Sequence, residues 1–131
     1  MTENDLIPLL VATLLGAAMG LERSIAGKHA GMRTYALVAL GACLFTTLGF
    51  GTGVVIGIGF IGAGLAAVRG GTHVELTTAA GVWVAAAVGM AVAGGFYLLA
   101  AGVVVLSVCV LSLLLPLESR IRARYGQNGE Q

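Results

Sequence analysis

Long apolar segments dominate this sequence and restrict the folds that it can adopt. Five runs of about 20 residues contain no Asp, Glu, Lys or Arg, and they cover positions 6–21, 34–50, 51–68, 76–93 and 96–117. A helix rises about 1.5 Å per residue, so such a run spans the hydrocarbon core of a bilayer, which is about 30 Å thick. Only 10% of the residues are charged, compared with about a quarter in an average soluble domain. These features predict an all-α polytopic membrane protein with five transmembrane helices.

Glycines mark the boundaries between consecutive spans. Positions 76–117 are too long for one span, and Gly94 and Gly95 near their middle are the obvious break. No charge separates the second span from the third, so we place a turn at Gly51 to Gly53 from the glycines there. Two regions are predicted: a transmembrane domain over residues 1–117 and a short basic cytoplasmic tail over residues 118–131.

The basic residues predict the orientation in the membrane. With five spans, all seven Lys and Arg residues fall on one side, whereas one span more or fewer would scatter them over both faces. Because cytoplasmic loops carry an excess of Lys and Arg, we expect the amino terminus outside and the carboxyl terminus in the cytoplasm. The amino terminus is acidic and lacks a basic leader, so we expect no cleaved signal peptide.

Positions 57–64 read GIGFIGAG, which taken alone resembles the glycine fingerprint of a dinucleotide-binding turn. That turn follows a strand and needs an acidic residue about 20 positions further on, after a second strand. Here a polar loop and another apolar run follow instead. On a transmembrane helix, small residues four apart let two backbones approach closely. We therefore expect helix packing rather than nucleotide binding, through Gly53, Gly57, Gly59, Gly62, Ala63, Gly64 and Ala66.

Charges near the span ends suggest an ion pair. A helix dipole favours cations at the carboxyl end and anions at the amino end, as found for Arg23, Arg69 and Glu75. Glu22 and Arg33 carry the wrong sign for their own helix ends. We hypothesise that these two pair across the short loop between the first two spans, with Arg69 as a further partner. The alternative is two solvated interfacial charges, whose pairing contributes only about 0 to 1 kcal/mol.

Polar residues at the start of the fourth span extend this cluster. Thr77 and Thr78 can hydrogen-bond to neighbouring helices or to their own backbone. Trp83 lies about two turns into the span, so we expect its indole N–H to find a partner inside the bundle. These residues could line a polar pocket that faces the cytoplasm, although capping or packing explains each one equally well. The predicted cytoplasmic-side polar cluster comprises Glu22, Arg23, Arg33, Thr34, Arg69, Glu75, Thr77, Thr78 and Trp83.

Several classes of function are disfavoured. No Asp, Glu, Lys, Arg or His lies deep in any span, which counts against a magnesium pore formed by one chain. His29 and His73 lack metal-ligand spacing, and no set of nucleophile, base and orienting residue is visible. We therefore expect no metal site, no cofactor and no enzymatic activity. The tail residues Arg120, Arg122 and Arg124 resemble an anchor to anionic lipid more than a nucleic-acid site.

Three segments carry a family resemblance: GLERSIAGKHAGMRTYALVALGACLFTTLG (20–49), GIGFIGAG (57–64) and LTTAAGVWVAAAVGMAVAGGFY (76–97). Together they resemble the membrane domain of the MgtC/SapB family. The resemblance implies a small bacterial inner-membrane protein with five spans. It also implies a link to growth in low magnesium, survival inside host cells and restraint of the ATP synthase, as for named relatives.

The sequence departs from the family pattern at several places. GFGTGVVIG before the glycine motif is uncharged, Val68 stands where many members have a basic residue, and Glu75 stands where many have glycine. Virulence-associated members also append a soluble carboxyl-terminal domain, whereas here we expect the membrane domain only.

Two functional hypotheses follow. The first is a membrane-embedded regulator or interaction protein whose glycine faces assemble it with itself, most simply as a dimer, or with another membrane protein. The second is a transporter or channel for an ion, such as Mg²⁺, or for a small solute, formed when protomers associate.

Overall fold

The computed structural model describes residue 4 and residues 6–68 and 73–125, except for the side chains of residues 68 and 73–75. All regular secondary structure in these ranges is helical, which confirms the all-α prediction. The helices are α1 (Leu6–Ile25), α2 (Met32–Thr47), α3 (Gly51–Val68), α4 (His73–Ala93) and α5 (Tyr97–Tyr125).

Three of these helices are long and apolar enough to cross a bilayer: α1, the Leu76–Ala93 part of α4, and α5. Met32–Thr47 of α2 and Gly51–Ala67 of α3 are apolar but shorter, about 24–26 Å at the usual helical rise. That all five cross the membrane therefore stays a prediction. Helix α5 continues without a break past Leu117, the predicted end of the transmembrane domain, as far as Tyr125.

Two helix ends show why glycine divides the long apolar segments. Gly49 and Gly95 have positive φ angles of 88° and 81°, a conformation that costs glycine little. At each, the glycine N–H and the next N–H donate to carbonyls of the last helical turn, with N···O distances of 2.8–3.0 Å, which is the Schellman arrangement. The predicted break at Gly94–Gly95 is confirmed. The turn predicted at Gly51 to Gly53 lies instead at residues 48–50, because the left-handed residue is Gly49 and Gly51 already begins α3.

The corner between α1 and α2 is fixed by a side chain. Ser24 Oγ, on the last turn of α1, accepts a hydrogen bond from the Met32 backbone N–H at 2.9 Å. This bond satisfies one of the N–H groups that are unpaired at the start of α2. A Cβ added at Gly31 would collide with the same Ser24 oxygen, so a larger residue there would displace the hydroxyl from this cap.

Helix α4 is the central element of the bundle and contacts the other four helices. Among the residues described, α3 contacts only α4 and α2, and α5 contacts only α1 and α4. The tightest part is therefore the group α1, α2 and α4, with α3 and α5 on opposite flanks.

Tyr35 of α2 lies at the centre of this tight group and is fully buried. A Cβ added at Gly16 of α1 would lie 2.5 Å from the Tyr35 carbonyl oxygen. A Cβ added at Gly20 would lie 2.9 Å from the Cβ of Tyr35. A Cβ at Gly81 of α4 would collide with the Tyr35 hydroxyl. Gly16 and Gly20 thus let the backbones of α1 and α2 approach, as small residues do in lipid, and Gly81 makes room for the aromatic ring.

The α2–α4 contact has a second close approach one layer further along. Gly89 faces the Ala39 carbonyl, and a Cβ there would collide with that oxygen and lie 3.0 Å from the Cys43 nitrogen. Gly81, Ala85 and Gly89 recur every fourth residue, so small side chains line the face of α4 that meets α2.

The glycines of α3 behave differently from those of α1 and α4. A Cβ added at Gly53, Gly57, Gly59 or Gly64 would meet no atom within 4 Å, and one at Gly62 would lie 3.8 Å from the Ala79 Cβ. Of the two alanines in the predicted packing set, Ala63 is exposed and Ala66 partly buried. Within one chain this set therefore makes almost no close helix contact, and packing against a second chain stays a prediction.

A substitution at Gly89 tests the close approach of α2 and α4. Gly89→Ala places a methyl group against backbone atoms that cannot rotate away, so we expect a loss of about 1–3 kcal/mol of stability and a lower thermal unfolding midpoint in detergent. The matched control is Gly102→Ala on α5, where a Cβ would meet nothing within 4 Å. Alanine favours a helix over glycine by about 1 kcal/mol, so the control should keep or raise the midpoint. Equal midpoints for the two variants would show that the α2–α4 contact is looser than described.

Candidate functional site

Charged side chains gather where α1 and α5 end and α2 and α4 begin, which we call the charged end of the bundle. Every Asp, Glu, Lys and Arg whose side chain is described lies there, namely Glu22, Arg23, Lys28, Arg33, Glu118, Arg120, Arg122 and Arg124. The described middle of the bundle carries none. The charged end is thus the place to look for recognition chemistry in this chain.

Among the charged side chains described at this end, Arg23 is the most buried, with 3% of its side chain exposed. It donates from Nε to Glu22 Oε2 at 2.6 Å and from Nη2 to Oε1 at 3.1 Å. This two-point fork is a strong form of charge-assisted hydrogen bond. Glu22 is itself only 18% exposed, so the pair is shielded from water on both sides.

The predicted partner of Glu22 was Arg33, and that prediction is wrong. The buried face of α1 comprises Ala12, Gly16, Met19, Gly20 and Arg23, a helical spacing that turns Arg23 inward. Arg33 lies two residues before the buried Tyr35, about 200° around α2, and is exposed. Among the residues described it forms no ion pair.

A cavity of about 450 Å³ opens beside Arg23, between the end of α1, the start of α4 and the last turns of α5. Its polar wall is formed by Arg23, Lys28, Thr77, Glu118, Ser119 and Arg122. Its apolar wall is formed by Leu76 of α4 and by Val110, Leu111, Leu114 and Leu115 of α5. The charged end therefore holds a pocket with one charged wall and one aliphatic wall.

A second ion pair lies at the rim of this cavity. Arg122 Nη2 donates to Glu118 Oε1 at 2.8 Å, one helical turn apart on α5. Both side chains are well exposed, at 64% and 57%, unlike the shielded pair on α1. Ser119 Oγ donates to the Pro116 carbonyl at 2.8 Å. The charged residues of α5 all follow Pro116, which lies inside the helix.

The predicted polar cluster is only partly brought together. Arg23 and Thr77 line the cavity, Glu22 joins through its bond to Arg23, and Thr78 is buried on the same turn of α4 as Thr77. Arg33 and Thr34 of α2 do not line it. Two predicted members fall outside the description: the whole of Arg69 and the side chain of Glu75.

Trp83 was expected to place its indole inside the bundle, and this expectation is wrong for the single chain. Its side chain is 54% exposed and lies with Ala80 and Ala87 on the outward face of α4. The positions on either side are buried: Val82 packs in the core, and Gly81 lets α4 sit close to Tyr35 of α2.

Prediction from the sequence missed four polar residues of the cavity, namely Lys28, Glu118, Ser119 and Arg122. The signal that could have found the last three is the spacing of Glu118 and Arg122, four apart with the acid first, which favours a continuing helix. It also missed the close-packing pairs on α1 and α4. Gly16 and Gly20 lie four apart in GAAMG, the same spacing that was noticed in α3.

The middle of the bundle offers little polar chemistry. Its buried residues are mainly small or aliphatic, from Ala12 and Met19 of α1 to Val82 and Ala85 of α4. The Tyr35 hydroxyl is buried and has no hydrogen-bond partner among the described atoms. The described residues contain no group of three or more His, Cys, Asp or Glu side chains that could hold a metal ion.

A second cavity, of about 760 Å³, lies between α2 and α3. It is lined only by apolar residues and glycines, including Gly41 of α2 and Gly53 and Gly57 of α3. Phe45 and Phe50 at its edge are more than half exposed. This groove is apolar throughout and lacks the charged wall of the first cavity.

Comparison with known proteins identifies relatives over most of the chain. The model of the MgtC family matches residues 9–120. "Putative magnesium transporter YhiD" of Escherichia coli (strain K12) is 37% identical over 92% of this chain. Protein MgtC of Salmonella typhimurium (strain LT2) is 37% identical over 88%, and protein SapB of Bacillus subtilis (strain 168) is 31% identical over 70%. No solved structure matches the chain significantly.

These relatives are longer than the aligned region. The alignments cover 65% of YhiD, 54% of MgtC and 48% of SapB. The chain therefore spans about half to two thirds of the length of these relatives, and the shared part is the helical segment described above.

Breaking the two ion pairs separately tests how far each is shielded from water. Glu22→Ala leaves the buried Arg23 cation without its carboxylate, and we expect a loss of about 3–5 kcal/mol. Glu118→Ala breaks the exposed pair with Arg122 and should cost no more than about 1 kcal/mol. The measurement is the thermal unfolding midpoint of each purified variant in the same detergent. Similar small losses for both would mean that the Glu22–Arg23 pair is solvated like the other.

Proposed function

The chain belongs to the MgtC family, and we propose that it is a multi-pass protein of the bacterial cytoplasmic membrane with a regulatory rather than enzymatic role. In this proposal it binds another membrane protein and acts in magnesium homeostasis or membrane energetics. The link to magnesium comes from the name of the relative YhiD, and the link to energetics from the family resemblance.

The observation that carries the regulatory role is the separation of charge from the membrane interior. The Asp, Glu, Lys and Arg side chains described lie at one end, and the middle of the bundle is filled mainly by small and aliphatic residues. Ion pathways and proton relays are usually marked by ionisable groups within the membrane, and Mg²⁺ prefers oxygen ligands such as carboxylates. A single protomer with this distribution suits recognition at one membrane face better than conduction across it.

The proposal assigns the charged end to the cytoplasm. Lys and Arg dominate that end over Asp and Glu, which is the bias that keeps a segment on the cytoplasmic side. The cavity beside Arg23 would then be accessible to cytoplasmic ligands and to lipids of the inner leaflet, and such a ligand would be the signal to which the regulator responds.

Assembly into a homo-oligomer, most simply a dimer, is part of the same proposal. The glycine face of α3 is open within one chain, and close packing of small residues is a main source of helix association in lipid. The groove between α2 and α3 borders this face. A helix of a second copy or of another membrane protein could approach α3 as closely as α1 approaches α2.

The alternative proposal is a transporter or channel built from several protomers. It is favoured by the magnesium-transporter name of YhiD, which aligns with 92% of this chain. In that case the pathway would lie between chains rather than through one bundle.

A flux assay separates the two proposals. We expect liposomes that contain only this protein to show no saturable Mg²⁺ uptake above empty liposomes, because one protomer offers no polar route. We further expect a membrane protein to co-purify reproducibly from gently solubilised cells. Robust saturable uptake would reject the regulatory proposal, whereas silent liposomes together with a reproducible partner would reject the transporter.

The liposome result needs a control for orientation. In a protein whose two cysteines are replaced by alanine, His29→Cys places a single thiol in the loop between α1 and α2. Labelling this thiol with a membrane-impermeant reagent, before and after opening the liposomes, gives the fraction of protein in each orientation. The absence of Mg²⁺ uptake is evidence against transport only when the liposomes contain protein in both orientations. In intact cells the same thiol should resist external labelling, and rapid labelling from outside would overturn the proposed topology.

The assembly proposal is tested by a large residue on the open face of α3. A Cβ added at Gly57 meets no atom within 4 Å in its own chain, and the rest of a leucine side chain has the open groove beside α2 to occupy. The fold of Gly57→Leu should therefore survive while association in the membrane falls. Gly102→Leu is the matched control, because its position on α5 is equally open. Single-molecule photobleaching of labelled protein in vesicles measures the dimer fraction. Equal dimer fractions for both variants would exclude the α3 face as the contact.

A further inference from the structure

The cavity at the charged end changes from aliphatic to cationic along a single helix. On α5 its wall runs from Val110 to Leu115 and then, after Pro116, continues as Glu118 and Arg122. Val110, Leu114 and Leu115 are about half exposed, so this wall is accessible from outside the bundle, along a helix that is long and apolar enough to cross a bilayer. Such a surface matches a molecule with an apolar chain and an ionised head.

The cations that line the cavity have N–H donors that their ion pairs do not use. Arg23 and Arg122 are each paired with one carboxylate, whereas Lys28 is partly buried and forms no ion pair with a described residue. A guanidinium carries five N–H donors, of which Arg23 uses two and Arg122 one in the bonds to their carboxylates. The cavity therefore favours an anion with several acceptor oxygens.

The anion that fits this chemistry is a phosphate. The aliphatic wall indicates whether that phosphate belongs to a lipid or to a soluble compound. A soluble phosphate compound would gain nothing from four aliphatic side chains of α5. A phospholipid would place its phosphate at the cations and the part of an acyl chain nearest the headgroup along those side chains.

We propose that this cavity is a binding site for an anionic phospholipid, with Lys28, Arg23 and Arg122 around the phosphate and α5 along the acyl chain. The site differs from a general attraction of the basic tail to the membrane, because it uses α1 and α4 as well as α5. The proposal is independent of whether the chain regulates or transports, so the flux assay and the lipid experiment can fail separately.

The experiment is native mass spectrometry of the purified full chain in detergent, titrated with phosphatidylglycerol and, in parallel, with phosphatidylcholine of the same acyl chains. We expect phosphatidylglycerol to bind more tightly. Lys28→Gln and Arg122→Gln should each weaken its binding about fivefold, the effect of one cation near an anionic headgroup. Arg124→Gln is the matched control, since this cation lies in the same last turn of α5 but does not line the cavity.

Two further measurements distinguish a lipid phosphate from a soluble phosphate. Leu111→Trp fills the aliphatic wall and should weaken lipid binding while all the cations remain. Excess inorganic phosphate should lower lipid binding no more than sodium chloride at equal ionic strength. Stronger competition by phosphate, with no effect of Leu111→Trp, would indicate a site for a soluble phosphate and overturn the lipid assignment.

Two other outcomes would also overturn the proposal. Equal affinity for the two lipids would show that the cations do not contact the headgroup. A loss for Arg124→Gln as large as for Lys28→Gln would show that the basic tail attracts lipid as a whole, without a defined site. Circular dichroism of each variant confirms that the helical bundle is retained.

Discussion

The close approach of three helix backbones around Tyr35 is the contact on which the rest of this bundle depends. In a membrane, an apolar side chain gains little free energy by moving from lipid to the apolar interior of a helix bundle. Helix association must therefore come from packing and from interhelical polar contacts. Gly16 and Gly20 admit α2 against α1, and Gly81 admits the tyrosine ring against α4. Once these distances are fixed, the directions of the remaining side chains on α1 and α4 follow from the helical repeat, including those at the charged end.

The two flanking helices are held by fewer neighbours, and each leaves an open space beside the tight group. Helix α5 contacts α1 and α4, and its last turns enclose the cavity with the charged wall. Helix α3 contacts α4 and α2 and leaves the apolar groove. The chain thus has a fixed centre and two more accessible sides of different chemistry, one suited to an ionised ligand and the other to an apolar surface.

The sequence was sufficient for features that depend on local chemistry, and insufficient for those that depend on helix rotation. The apolar runs and Gly94–Gly95 predicted the helices and the break between α4 and α5, because length and backbone freedom are local properties. The partner of Glu22 and the place of Trp83 were predicted wrongly, because both depend on which face of a helix turns inward. In a soluble protein the apolar face reveals that rotation, whereas here nearly every face is apolar. For the same reason the stripe in α3 looked like the main packing surface, although GAAMG in α1 has the same spacing and makes the contact.

The geometry of α1 also connects the charged end to the centre of the bundle. Gly20 and Arg23 lie three residues apart on one buried face, so the contact of Gly20 with α2 sets the direction in which Arg23 points. Any ligand that draws the guanidinium away from Glu22 must either leave a shielded carboxylate unpaired, at considerable cost, or rotate the end of α1. A rotation of α1 would press Gly16 and Gly20 against Tyr35, where there is no space for movement. A ligand that reorients Arg23 would therefore strain the packing of α1, α2 and α4, and this is the route by which the proposed regulator would pass a signal from the charged end to the centre of the bundle.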